Sequence, residues 1–93
     1  MPQRIVVKAG FERAYHRLSA HQRHDVDLAL GKFQHYLQTN EAPVGLGLKR
    51  LGGRTYEFRV GLALRVVYVA TEDEVRLAWL GNHDEVRRFL RRQ

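Results

Sequence analysis

Cysteine is absent from this sequence of 93 residues, which excludes a disulfide framework and any zinc site built on thiolates. The absence also fits a reducing cytoplasm, where we expect the protein to reside. Long apolar runs are missing too, since none approaches the roughly 20 residues of a membrane helix. The first ten residues lack the apolar centre of a signal peptide. We therefore expect no membrane association, and no motif points to a cofactor or a bound metal.

Lysine and acidic residues are scarce beside arginine. The chain carries 16 Lys and Arg against 10 Asp and Glu, a formal net charge of +6, and most of the basic residues are arginines. Arginine suits phosphate because its planar guanidinium donates two parallel hydrogen bonds. The charge therefore favours a polyanion such as nucleic acid. The alternative is a positive surface that serves solubility or binds an acidic protein.

The hydrophobic pattern predicts a single α+β domain over residues 1–93. "RIVVK" (residues 4–8) is typical of a strand, and "FERAYHRL" of a helix. Ser19 and Gln22 form a capping box that opens a second helix. The buried stripe of this helix is predicted at Val26, Ala29, Leu30, Phe33 and Leu37. Its histidines His21, His24 and His35 fall off that stripe, which favours exposure to solvent over metal binding.

Residues 40–53 are rich in glycine and are predicted to form a loop. "TYEFRV", "ALRVVYVA" and "EVRLAWL" then alternate with period two, which predicts three strands in an antiparallel meander. A short helix ends the chain. The predicted order is β-α-α-β-β-β and a C-terminal helix, with two helices packed on one face of an antiparallel-dominated sheet.

The register of the first two meander strands is predicted from the "GLA" connection. A loop of three residues places Val60 opposite Leu64 and keeps apolar side chains on one face, whereas a one-residue slip would mix the faces. The face predicted to lie under the helices comprises Tyr56, Phe58, Val60, Leu64, Val66 and Tyr68. On the second face, Arg59 and Arg65 become direct neighbours. Like charges in that position destabilise a sheet unless an anion lies between them.

The same reasoning pairs Val66 with Trp79 and Arg65 with Leu80 on the last strand. His83 would then emerge beside Arg59 and Arg65, and the three side chains would form a phosphate site. The alternative is a solvated strand face on which Glu57 neutralises an arginine by a diagonal contact. Further apolar residues share the second face, so that either a partner or the terminal helix is expected to cover it: Val67, Val69, Ala78 and Leu80.

The C-terminal segment "GNHDEVRRFLRR" (residues 81–92) has the pattern of a capped helix. Asn82 and Glu85 have capping-box spacing, and Asp84 lies where the helix dipole favours an acid. The helix has an apolar face of Val86, Phe89 and Leu90, with Arg87, Arg88, Arg91 and Arg92 mostly outside it. The cap does not require a histidine at position 83, so His83 is free to serve another purpose.

"YEFRVGLALRVVY", "GNHDEV" and the upstream "LKRLGG" resemble the RelE/ParE toxin superfamily over nearly the whole chain. The resemblance implies a RelE-like fold and a toxin of a type II toxin-antitoxin system. Such a toxin is held inactive by a cognate antitoxin, and we expect complexes up to a heterotetramer or larger. RelE-like members cleave mRNA on the ribosome, without metal, by attack of a ribose 2′-hydroxyl on the adjacent phosphate. ParE-like members inhibit DNA gyrase instead.

The resemblance also suggests roles for single residues. Arg65 lies where RelE-like toxins place a phosphate-stabilising arginine, Arg59 matches a basic position on the preceding strand, and His83 matches a position of catalytic histidine or arginine. These three are the predicted catalytic residues, and the predicted RNA-binding residues are Lys49, Arg50, Arg54 and Arg87.

The sequence departs from the family pattern at two positions. Glu57 replaces a basic residue, and Arg87 replaces an aromatic one. Three functions consequently stay open: an mRNA endonuclease, a gyrase inhibitor, and an inactive toxin fold that only binds an antitoxin.

Overall fold

A computed structural model describes residues 3–92 and shows an α+β architecture, as predicted. The elements are β1 (Arg4–Val7), α1 (Ala9–Arg17), α2 (Ala20–Thr39), β2 (Lys49–Gly52), β3 (Thr55–Val60), β4 (Leu64–Ala70), β5 (Glu74–Asn82) and α3 (His83–Arg91). The sheet has five strands in the order β1-β5-β4-β3-β2. β1 runs parallel to β5, and the other pairs are antiparallel.

The prediction of a continuous loop over residues 40–53 is wrong at its end, where β2 forms an edge strand. Lys49 pairs with Glu57 and Arg50 with Tyr56, and a bulge follows before Gly52. Pairing here satisfies backbone groups of β3 that would otherwise need water. The hairpin turns at Gly53, whose φ of +54° favours glycine. The predicted strand order therefore gains one short strand before the meander.

The helices α1 and α2 supply one side of the core. The predicted capping box opens α2, with Gln22 N donating to Ser19 Oγ at 3.1 Å and Ser19 N donating to Gln22 Oε1 at 3.1 Å. From the predicted stripe, Val26, Ala29 and Phe33 are buried, while Leu30 and Leu37 are partly buried against the core. The three α2 histidines are exposed, as predicted.

The predicted register of β3 and β4 is confirmed. Val60 is the partner of Leu64, Phe58 of Val66, and Arg59 of Arg65. The apolar face of this pair packs on the helices. Phe33 lies against Phe58 and against Tyr68, with both ring centroids at 4.6 Å. These aromatic contacts join α2 to the middle of the sheet and fix which strand face is left for other contacts.

The predicted register of β4 and β5 is wrong by one residue at the end of β4 that carries Arg65, and it is correct from Tyr68 onward. Val66 pairs with Leu80 and Arg65 with Gly81, and the alignment shifts beyond Val67. The shift is a β-bulge, which sets two residues of one strand against one of the other. Because of it, Leu80 turns into the core instead of the second face. Trp79 points the other way and stacks on Phe89, with ring centroids 5.1 Å apart and planes 9° apart.

The C-terminal helix covers part of the second face, which was one of the two predicted alternatives. Both halves of its capping box are present, since Glu85 N donates to Asn82 Oδ1 and Asn82 N to Glu85 Oε1, each at 2.9 Å. Val86 is buried. An apolar groove stays open between α3 and the sheet, lined by Leu51, Gly52, Thr55, Val67, Val69, Ala78, Phe89 and Leu90. Within residues 3–92, no helix has the length and apolarity to cross a membrane.

Candidate functional site

The candidate site lies on the second face, where β3, β4 and β5 run side by side. Arg65 occupies the middle strand, between Arg59 on β3 and Gly81 on β5. His83 is the first residue of α3, two positions beyond Gly81, and its side chain is exposed. The sheet register thus brings the three backbone positions of the predicted catalytic set close together. Their side chains, however, have different neighbours.

Arg65 is held by Glu57. Its Nη1 donates to Glu57 Oε1 at 3.2 Å, and the side chains are 28% and 8% exposed, respectively. Glu57 pairs with Val67, two residues from Arg65, so this is the diagonal contact that the sequence offered as an alternative. A buried carboxylate needs such a partner because desolvation is costly. A guanidinium has five N–H donors, so one bond to Glu57 leaves donors that an anion can use.

Arg59 turns to the sheet edge instead. Its backbone N–H donates to Leu46 O at 2.7 Å, and a Cβ built on Gly47 would lie 3.3 Å from Arg59 Nε. The side chain lines a surface depression with Asp25 and Lys32 of α2. The two arginines are therefore opposite in backbone register but directed to different groups, which relieves the repulsion expected for a direct pair. The predicted convergence of Arg59 with Arg65 is not observed.

The four predicted RNA-binding residues are exposed but do not form one cluster. Lys49 is the direct β2 partner of Glu57 and shares its face, whereas Arg50 is the partner of Tyr56 and points to the opposite face. Arg50 Nε also donates to Gly53 O at 2.9 Å, within the hairpin. Arg54 lies in the same turn, and Arg87 is on α3 beside Arg88 and Arg91. Lys49 is thus the one of the four that shares the strand face of Arg65.

Two neighbours of the site were not assigned a role from the sequence. Asp25 and Lys32 of α2 line the same depression as Arg59, and their distance from β3 along the chain gives no local signal of this proximity. In the described part of the chain, no three His, Cys, Asp or Glu residues are grouped so that they could hold a metal ion.

Comparison with known proteins rests on the fold. No family model and no curated protein matches the sequence. Solved structures do match: a chain of the E. coli DinJ–YafQ toxin–antitoxin complex has a TM-score of 0.71 and 18% identity over 92% of this chain and 98% of that chain. A chain of the Methanococcus jannaschii RelB–RelE antitoxin–toxin complex has a TM-score of 0.68 and 14% identity, with 90% and 96% covered.

A third similar structure is a copper-bound mutant toxin from Helicobacter pylori, with a TM-score of 0.69 and 19% identity. The match covers 90% of this chain and 98% of that chain. At such identities the likeness concerns the path of the backbone, and it extends over nearly the full length of each chain. The protein therefore has the RelE-like toxin fold.

Proposed function

We propose that the protein is the toxin of a type II toxin–antitoxin pair and that it cleaves mRNA on the ribosome. The observation that carries the proposal is the position of Arg65 next to the β5–α3 turn that presents His83. A partly exposed arginine and an exposed imidazole on adjacent segments supply the two chemical functions that RNA cleavage needs. The RelE-like fold and the net charge of +6 support the same reading.

The proposed reaction is an internal transfer of phosphate. The ribose 2′-oxygen forms a bond to the adjacent phosphorus while the bond from phosphorus to the 5′-oxygen breaks. A proton leaves the 2′-hydroxyl, and the departing 5′-oxygen accepts one. The imidazole of His83 suits one of these proton transfers, because an imidazole can either accept or donate a proton. Arg65 stabilises the negative charge that develops on the phosphate, and Arg59 holds a neighbouring phosphate of the RNA.

The test is cleavage of an mRNA on translating ribosomes by purified protein. We expect Arg65→Ala to slow cleavage by about 10²-fold or more, as for other groups that stabilise developing charge. We expect His83→Ala to slow it by about 10²–10⁴-fold. His35→Ala and Arg17→Ala are matched controls, since both side chains are exposed on helices outside the site. Undiminished cutting by both site variants would remove these roles, and no cutting by the wild type would remove the enzyme.

A second candidate function is inhibition of DNA gyrase without RNA cleavage. Two observations favour it: Glu57 neutralises Arg65, and Arg87 stands where RelE-like toxins often carry an aromatic residue. A supercoiling assay with purified gyrase separates the two functions, because only the inhibitor blocks supercoiling. If the protein inhibits neither translation nor supercoiling, the remaining candidate is a fold that only binds an antitoxin.

We also propose an acidic antitoxin as the protein partner. The groove between α3 and the sheet is lined mainly by apolar side chains, among them Val69 and Phe89, and the chain is strongly basic. An acidic segment that folds on contact would match both features. Co-expression with the adjacent reading frame tests this: the proteins should purify together, and Val69→Glu should weaken the complex. Purification of the toxin alone would count against it.

A further inference from the structure

Glu57 is the one charged side chain among residues 3–92 that is buried. It lies on the second face, with Lys49 directly opposite on β2 and Val67 directly opposite on β4. Its carboxylate accepts a hydrogen bond from Arg65, which is the predicted phosphate-binding residue. A charged group in this place calls for an explanation, since the chain has many exposed positions for a carboxylate.

Stability does not provide that explanation. A buried ion pair is often no more stabilising than apolar side chains of similar volume, because desolvation offsets most of the attraction. Val67 beside Glu57 is buried, so an apolar residue at position 57 would have apolar neighbours to pack against. An apolar residue at position 57 would not reproduce the effect of the carboxylate on Arg65.

Glu57 acts on Arg65 in two ways. It restricts a long side chain that would otherwise sample many rotamers, so that the guanidinium stays against the sheet between β3 and β4. It also offsets the positive charge of Arg65, which weakens its attraction for any phosphate. Lys49 stands across from Glu57 and keeps a cation near the carboxylate when Arg65 engages an anion. The restriction of the Arg65 side chain favours catalysis, and the offset of its charge limits the affinity for RNA.

We propose that Glu57 is a positioning residue that holds Arg65 for reaction at the cost of weaker RNA binding. The inference rests on the proposed RNA cleavage for its catalytic half, while its binding half depends only on contact between Arg65 and RNA phosphates. Replacing Glu57 by glutamine keeps the shape and an acceptor oxygen but removes the charge. Binding and turnover should then change in opposite directions.

The binding arm uses a 2′-O-methyl RNA oligonucleotide, which lacks the attacking hydroxyl, followed by fluorescence anisotropy over a range of salt concentrations. We expect Glu57→Gln to tighten binding by about fivefold, the size of one partly solvated charge interaction. The dependence of log K on log salt should steepen by about 0.7, as for one more phosphate contact on a single strand. In an Arg65→Gln background, Glu57→Gln should leave the oligonucleotide affinity nearly unchanged.

The cleavage arm measures kcat and KM on programmed ribosomes. We expect Glu57→Gln to lower KM and to lower kcat about tenfold, since a misplaced group costs reactive geometry, and Glu57→Asp to restore part of kcat. Glu74→Gln is the matched control: Glu74 also bonds two arginines but lies at the opposite end of β5 from His83. It should leave both constants unchanged. Thermal unfolding of each variant shows that the measured protein is folded.

The outcomes separate the two proposals. Tighter binding with slower turnover supports the positioning role, whereas tighter binding with equal or faster turnover reduces Glu57 to a repulsive charge and overturns it. Unchanged or weaker binding by Glu57→Gln also overturns it. If the wild type binds the oligonucleotide but leaves mRNA intact, the nuclease proposal fails and the binding arm alone decides whether Glu57 restrains Arg65. A wild type that binds no RNA overturns both.

Discussion

Arg59 and Arg65 show how far a backbone register determines the position of long side chains. Their Cα atoms are direct partners, yet one guanidinium bonds to Glu57 and the other lies along Gly47 at the sheet edge. Each arginine has several rotatable bonds, so moving apart costs little compared with holding two like charges together in a sheet. The neighbours of each charge therefore come from residues that the alternating pattern does not specify.

Glu74 offers a residue-level prediction for stability against pH. Its hydrogen bond from Arg4, and then that from Arg76, hold the pKa of its carboxyl below the ordinary value. A lowered folded-state pKa stabilises the protein above the unfolded-state pKa, and this contribution is lost as pH falls through the folded value. Glu74→Gln should thus lower the unfolding free energy near neutrality, and the difference from wild type should shrink below about pH 4. Urea denaturation across this range measures it; a difference that stays constant in acid would contradict the ion-pair origin.

At the scale of elements, the sequence predicts those parts of the sheet in which polar and apolar residues alternate. The pairing of Arg59 with Arg65 is predicted correctly because charged residues interrupt both strands. The bulge in β5 is not, since Ala78, Trp79 and Leu80 are all apolar and either phase satisfies the pattern. The sequence does not predict β2 for another reason. It is a short edge strand next to glycines, and its pairing with β3 supplies a stability that local propensity does not.

The same limits apply to the candidate site. The sequence predicts that Arg65 and His83 lie in adjacent segments. The last strand pairs with the strand of Arg65 and continues directly into the capped helix that begins at His83. The position of Arg59 in a depression shared with α2 depends on tertiary packing. Arg65 pairs with Glu57 and does not extend into solvent, because the buried carboxylate needs a cationic partner.

The capping box of α3 gives the first prediction at this scale. Asn82→Ala removes the acceptor for Glu85 N, so the first turn that carries His83 should loosen. We expect a loss of about 1 kcal/mol in unfolding free energy, together with slower RNA cleavage. Ser19→Ala removes the equivalent bond from α2 and should cost similar stability with no change in cleavage by the folded protein. Equal loss of cleavage in both variants would show that the α3 cap has no special role.

The second prediction concerns Trp79, whose ring stacks on Phe89 of α3 and lies close to Gly10 of α1. A Cβ on Gly10 of α1 would lie 2.9 Å from Trp79 Cε3, while one on Gly31 of α2 meets nothing within 4 Å. Gly10→Ala should therefore cost about 1–3 kcal/mol through overpacking and shift the fluorescence of Trp79. Gly31→Ala should stabilise α2 by about 0.5–1 kcal/mol, as measured by urea denaturation. Equal effects of the two substitutions would show that α1 accommodates the added methyl group without strain.

For the whole molecule, the basic residues behind the net charge of +6 are distributed over both sheet faces and all three helices. Arg17 lies on α1, Arg50 on the helix side of β2 and Arg87 on α3. The composition is therefore compatible both with a uniform attraction for polyanions and with a local phosphate site. The two differ in how binding responds to salt when single arginines are removed, because each counterion is released where a phosphate is neutralised.

Salt dependence of RNA binding thus decides between a uniform basic surface and a defined site. Arg65→Gln and Arg17→Gln remove the same charge from the molecule, but only Arg65 lies on the second face of the sheet next to the β5–α3 turn. We expect Arg65→Gln to reduce the slope of log K against log salt by about 0.7, the value for one contact to single-stranded RNA. Arg17→Gln should leave the slope unchanged. Anisotropy titrations with the 2′-O-methyl oligonucleotide measure both slopes. Equal reductions would mean that RNA is attracted by overall charge, and the site built on Arg65 would lose its support.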